Sequence, residues 1–265
     1  MGYKKYAYSF TIGCAVASLM MPSLTNALES DVPLPNITER VKALDVQLFT
    51  GKEAIKVEPQ DLEVMTKAAE DLAEKLPSPG LKIGETAPDF ALKNAHGKTV
   101  KMSNLLKKGP VILVFYRGAW CPYCNIELHA LNESLPKFEK FGAALVAITP
   151  QTPDKSLAQV TKDGYPFEIL SDLDDSVIKD YGLYWEVSSE LDAAYKHSFG
   201  LDVAAFNGKG RRGLPVPGTF VIDKSGIVRA AFADTDYKKR MEPADIMTAL
   251  QNLPRENSSL PEHKE

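Results

Sequence analysis

The sequence predicts an α/β sandwich in which a mixed sheet is flanked by helices and preceded by a helical extension. Two observations carry that expectation. Between residues 110 and 181, short and nearly all-apolar runs alternate with segments of helical period, as parallel strands and their crossover helices do. After residue 218 the order becomes strand, tight turn, strand, helix, so an antiparallel pair completes the sheet. A chain of 265 residues, 44% hydrophobic, is long enough for one sizeable core plus an appendage. With 31 basic and 35 acidic residues the formal charge is −4, and no basic stripe interleaved with aromatics occurs, which argues against a nucleic-acid partner.

The first residues read as an export signal peptide over 1–27. Lys4 and Lys5 make a basic start, the 23 residues from Tyr6 to Leu28 carry no charge, and Thr25-Asn26-Ala27 offers small residues before a cut. The same run is long enough to span a bilayer, so a retained anchor over 6–28 is the alternative. Ser, Thr, Asn and Pro in its second half favour cleavage. Cys14 is then discarded, and the mature chain keeps Cys121 and Cys124 in a periplasmic or other extracytoplasmic compartment.

Residues 28–80 form the extension and its linker. Asn36-Ile37-Thr38-Glu39 resembles a capping box opening a helix toward Phe49. Pro59 opens a second helix, with Leu62, Met65, Ala69, Leu72 and Leu76 at helical spacing, and Pro77-Ser78-Pro79-Gly80 ends it. This arm is expected to pack on the main domain or on a partner subunit. Residues 110–116 predict a buried strand, 122–141 a helix bent at Pro136, 143–148 a strand and 153–162 a helix. A short strand at 167–170 and a helix over 174–181 capped by Gly182 follow. Residues 183–213, Gly-rich with Arg211-Arg212, read as an insertion. Strands at 219–222 and 227–232 flank the turn Asp223-Lys224-Ser225-Gly226, a helix runs from Pro243 to about Leu253, and the polar tail of 254–265 is expected to be disordered. The main domain, residues 82–253, therefore has the order of a thioredoxin-like fold.

The chemistry is expected at Cys121 and Cys124, in Trp120-Cys121-Pro122-Tyr123-Cys124. They lie where a buried strand gives way to a helix, the place where sites gather in open α/β sheets. Unpaired N–H groups and the partial positive charge of the helix start favour thiolate over thiol. An ordinary thiol is only about 3% ionised at pH 7, so a lowered pKa raises its reactivity. Two intervening residues place the sulfurs one turn apart, close enough to form a disulfide. As a staple, that four-residue loop would contribute only about 2 kcal/mol. Zinc wants about four ligands, and His96, His129, His197 and His263 lack the spacing to complete such a set, so no metal is expected. Redox chemistry is the reading. Pro217, directly before a central strand, supports it: a cis bond there would lay backbone beside the sulfurs to receive an extended disulfide.

Three stretches resemble the alkyl hydroperoxide reductase C / thiol-specific antioxidant family: Gly84-Glu85-Thr86-Ala87-Pro88-Asp89-Phe90-Ala91-Leu92, Phe115 through Leu128, and Thr219-Phe220-Val221-Ile222-Asp223. The likeness is nearest to the peroxiredoxin-like branch with Cys-Pro-Tyr-Cys. It implies a hydroperoxide substrate, a thioredoxin-like or other dithiol reductant, no cofactor, and a homo-oligomer as a further expectation. The family's Pro-x-x-x-Thr-x-x-Cys puts the peroxide-attacking position on Cys124. Its Pro falls on Arg117, its Thr on Cys121, and its distant Arg on Pro217. Arg117 is the candidate replacement for that Arg, with a solvated surface side chain as the alternative, and Arg211 and Arg212 are weaker ones. Trp120 and Thr219 flank the pair as supporting residues. Cys121 and Pro217 instead match thioredoxin, in which the first Cys attacks. The resemblance thus implies a thiol-dependent peroxidase using Cys124 and then Cys121, with a thiol–disulfide oxidoreductase attacking through Cys121 as the alternative.

Overall fold

The computed structural model describes residues 32–51 and 54–254; the predicted leader and, from residue 255, the predicted polar tail lie outside the described residues. The arm begins as expected. Helix α1 (Ile37–Phe49) is capped by Asn36, whose Oδ1 accepts from the Glu39 N–H at 2.8 Å. Two more free N–H groups of its first turn, those of Ile37 and Thr38, donate at 2.8 Å to the Glu242 carboxylate, more than 200 residues away. Helix α2 (Pro59–Lys75) starts on Pro59, which lacks only a proton the first turn cannot use.

A hairpin of β1 (Ala91–Asn94) and β2 (Thr99–Lys101) leads through the single turn α3 (Met102–Leu106) to β3 (Val111–Phe115), all five residues of which are buried. Helix α4 (Pro122–Glu139) runs through Pro136. There follow β4 (Ala144–Thr149), α5 (Pro153–Asp163), β5 (Glu168–Ser171) and α6 (Ser176–Asp180), after which Gly182 takes φ +67°. The insertion at residues 183–213 has regular structure of its own. They form β6 (Tyr184–Glu186), α7 (Ser189–Phe199) and α8 (Val203–Asn207), and β6 pairs with β7 (Gly213–Pro215). The signals were present: Ser188 caps α7 through the Leu191 N–H, and Gly200 ends it at φ +63°. The hairpin of β8 (Gly218–Ile222) and β9 (Val228–Ala233) and the helix α9 (Pro243–Gln251) complete the chain.

The sheet order is β2-β1-β5-β4-β3-β8-β9, parallel across β5-β4-β3 and antiparallel elsewhere. Alternate side chains of β3 feed two apolar layers. Ile112 and Val114 meet Leu128, Leu131 and Phe138 on one face, while Leu113 and Phe115 meet Tyr181 and Phe220 on the other. The arm belongs to the same unit, which runs from Leu34 onward. Helix α1 lies on α4 and is tied by Arg40 to Glu133 (2.7 Å) and by the Tyr123 hydroxyl to Asp45 (2.5 Å). Helix α2 lies on α7, where the nearly buried Asp61 binds His197 Nδ1 at 2.7 Å and Ser198 Oγ at 2.6 Å. His197, itself largely exposed, is thus part of the clasp.

Candidate active site

The buried strand β3 delivers the chain to a sharp turn before α4. Gly118 holds φ +147° there, and a Cβ on it would sit 2.6 Å from the Trp120 indole nitrogen, so only glycine fits. The turn is fixed on both sides: the Ala119 N–H donates to Gln151 Oε1 and the Asn125 amide to the Ala119 carbonyl, both at 2.9 Å. Cys121 is the N-cap residue of α4 and Cys124 lies one turn in. Both are free thiols and both are buried.

The two sulfurs have opposite surroundings. Cys121 lines a cavity; Cys124 does not, and lies behind it with Arg240 Nη2 at 3.5 Å. Burial by itself would raise the Cys121 pKa. The hydrogen bond from the Cys124 thiol and the charges of Arg117 and Arg240 outweigh it, and the group titrates at about 6. Burial and the neighbouring Cys121 sulfur push Cys124 well above the ordinary thiol range. At neutral pH the thiolate sits on Cys121, and Cys124 holds the proton that bonds to it. The motif alignment places first attack on Cys124. In the structure the ionised, cavity-facing sulfur is Cys121.

Of the expected supporting residues, Arg117 and Trp120 stand beside Cys121. Arg117 is not on the surface but 4% exposed, its guanidinium 4.9 Å from the Trp120 ring and 4.8 Å from the Tyr237 ring. Its Nη2 donates to the Tyr195 hydroxyl at 3.0 Å, and its Nε has no hydrogen-bond partner among the described residues. Thr219 acts one step removed, donating from Oγ1 to Glu127 Oε1 at 3.0 Å. Pro217 lines the cavity, but no described peptide bond is cis, so Val216–Pro217 is trans and the expected cis proline is absent. Arg211 is committed elsewhere, to Asp175 Oδ1 at 2.8 Å and the Pro150 carbonyl at 2.7 Å, and Arg212 reaches Ser189.

Sequence reading missed Arg240 and Glu127. Arg240 lies 116 residues beyond Cys124 in Lys238-Lys239-Arg240, a run that resembles a solvated surface. It is instead buried, with Nε 2.5 Å from Glu127 Oε2. Burial raises the Glu127 pKa to about 7, with Arg240 opposing and Cys124 adding to the rise. Glu127 had a signal, since it falls three residues after Cys124 and shares its face of the helix.

The cavity above Cys121 has a volume of about 450 Å³. Leu48, Met65 and Leu72 of the arm line it together with Leu191, Tyr195 and Phe199 of α7. The arm therefore packs on the main domain, as expected, and also encloses the site.

A thiolate and a thiol one turn apart, at a helix start above a buried mixed sheet, define a dithiol oxidoreductase of thioredoxin-like fold. Residues 83–231 match the AhpC/TSA family, more than half of the chain, and the protein belongs to that family. Alkyl hydroperoxide reductase E of Mycobacterium tuberculosis is 32% identical over 151 residues, 57% of this chain and 84% of that protein. Chloroplastic peroxiredoxin Q of Sedum lineare is 30% identical over 170 residues, 64% of this chain and 78% of that one. Among solved structures, peroxidoxin BcpB of M. tuberculosis superposes with a TM-score of 0.51 at 23% identity, over 66% of this chain and 99% of the other, a likeness of fold.

Proposed function

We propose that the protein is a thiol peroxidase that reduces hydroperoxides through Cys121 and Cys124 and is recycled by an external dithiol. The observation that carries this reading is the Cys121 thiolate opening onto a cavity beside a buried guanidinium with an uncommitted N–H. Cys121 attacks the terminal oxygen of ROOH; the O–O bond breaks, sulfenic acid forms on Cys121 and alkoxide leaves. Arg117 stabilises that charge as it develops, and the alkoxide takes a proton from water. Cys124 then attacks the Cys121 sulfur. The S–S bond forms, the S–O bond breaks, and hydroxide departs as water with the Cys124 proton. Two electrons from the external dithiol restore both thiols. Stopped-flow oxidation of the reduced protein tests this: attack far faster than that of a free thiol is expected, and an ordinary thiol rate would remove the reading.

A second reading, thiol–disulfide exchange on protein disulfides, is favoured by the exposure of Cys121 rather than Cys124 to the cavity. It requires faster attack on a disulfide substrate than on any peroxide in the same experiment.

We also propose export to a periplasmic or similar compartment. The basic start, the uncharged run over 6–28 and Ala27 support it. Mass analysis of the mature chain is expected to find a start near Leu28; intact residues 1–27 in the membrane fraction would make the segment an anchor instead.

A further inference from the structure

The walls of the cavity are chemically one-sided. Among the described residues that line it, Arg117 is the only charged side chain apart from Cys121 itself, and the rest of the surface is overwhelmingly aliphatic and aromatic. Leu48, Phe49, Ile55 and Met65 belong to the arm, which lies outside the residues 83–231 that match the family. Hydrogen peroxide needs no such enclosure. A water-sized group takes about 30 Å³, so 450 Å³ holds on the order of a dozen such groups. The size falls in the range of pockets that enclose small organic ligands, about 300–1,000 Å³. Arg117 Nε is buried without a partner among the described residues, and the Arg117 charge acts on the Cys121 sulfur that lines the same chamber.

We infer that the arm and helix α7 form a tail-binding chamber for an organic hydroperoxide with a long apolar chain, seated with its peroxide group at Cys121 and Arg117. The inference deepens the peroxidase reading and rests on it. The chamber decides which hydroperoxide is used, and the arm is a specificity element rather than a packing appendage.

Two measurements on the full mature chain test it. In the first, the attack rate constant of the reduced protein is determined for linear alkyl hydroperoxides of increasing length. It is expected to rise about three- to fourfold per added CH₂ until the chamber is full, from the burial energy of a methylene. Ala69→Phe, which projects a ring from the chamber wall, should end that rise at a shorter chain. The second measurement does not need activity. The chain has two tryptophans, Trp120 and Trp185, and both line the chamber. Their fluorescence should change saturably with 1-decanol, the redox-inert product analogue, and more weakly with 1-butanol. A chain-length series that is flat, with no saturable response to decanol, would overturn the inference and leave the peroxidase reading standing. Saturable decanol binding with no fast reaction toward any peroxide would instead remove the peroxidase reading, and with it the substrate assignment. A fluorescence change that follows protein concentration without added alcohol would make a second copy of the chain the occupant, and would also overturn it.

Discussion

At the scale of single residues, the site is governed by where one proton rests. With the thiolate on Cys121, Cys124→Ser should trap a sulfenic acid or a mixed disulfide on Cys121, read by mass spectrometry after one equivalent of oxidant. Sulfenic acid on Cys124 in Cys121→Ser, and none on Cys121 in the other variant, would restore the order the motif alignment implies. Because Cys121 titrates at about 6, peroxide attack should be half-maximal near that pH. It should be fully present above it and fall about tenfold per unit below it. Arg117→Met removes one of the two charges that hold the thiolate. It should raise the Cys121 pKa and cost about 2–4 kcal/mol of barrier, roughly thirty- to a thousandfold in rate. An unchanged pH profile with an unchanged rate would show that Arg117 only fills space. The cysteine pair was legible in the sequence because spacing and context mark it. Its electrostatics were not, since Arg240 reaches Cys124 across 116 residues and no local pattern records such a contact.

At the scale of elements, signals written in adjacent residues survived folding. Asn36 caps α1, Pro59 opens α2, and the apolar run after residue 110 becomes the central strand. The hairpin β1–β2 had little to announce it, because six of its seven strand residues are exposed or half-exposed and the strands are short. Within the insertion at residues 183–213 the glycines mask the element pattern, although two of them, Gly200 and Gly208, act as helix stops. The attachment of α1 to the rest of the protein is testable. Glu242 receives both first-turn amides, so Glu242→Ala should destabilise that helix start by about 1 kcal/mol. Hydrogen exchange of Ile37 and Thr38 should accelerate while the amides of β3 and β4 keep their protection. Equal acceleration in both places would mean that arm and sheet open as one unit.

At the scale of the whole molecule, the reduced and oxidised proteins should respond differently to pH. The Cys121 thiol has its folded pKa lowered from 9.0 to about 6. Its contribution to stability is therefore absent below pH 6, grows as pH rises, and is complete above 9. Between pH 5 and 7 this amounts to about 1.4 kcal/mol, a few degrees in Tm for a domain of this size. The disulfide form has no such thiol to titrate. The difference in Tm, reduced minus oxidised, should accordingly rise with pH below the ordinary thiol pKa in parallel calorimetric scans. Glu127, with a folded pKa raised to about 7, works in the opposite sense, but it is present in both forms and largely cancels in the difference. A difference independent of pH would place the thiolate elsewhere.

The placement of Cys121 at the base of the chamber also sets an order of traffic. The sulfur that takes oxygen from the substrate is the one the reductant must reach, and Cys124 lies behind it without an opening of its own onto the cavity. Peroxide and reductant therefore take turns at one doorway. Turnover should follow ping-pong kinetics, and a bulky substrate or its alcohol product in excess should slow the reductive half-reaction by occupying the passage. The protein's throughput would then be limited by how quickly the spent alcohol departs, a property of the walls rather than of the sulfurs.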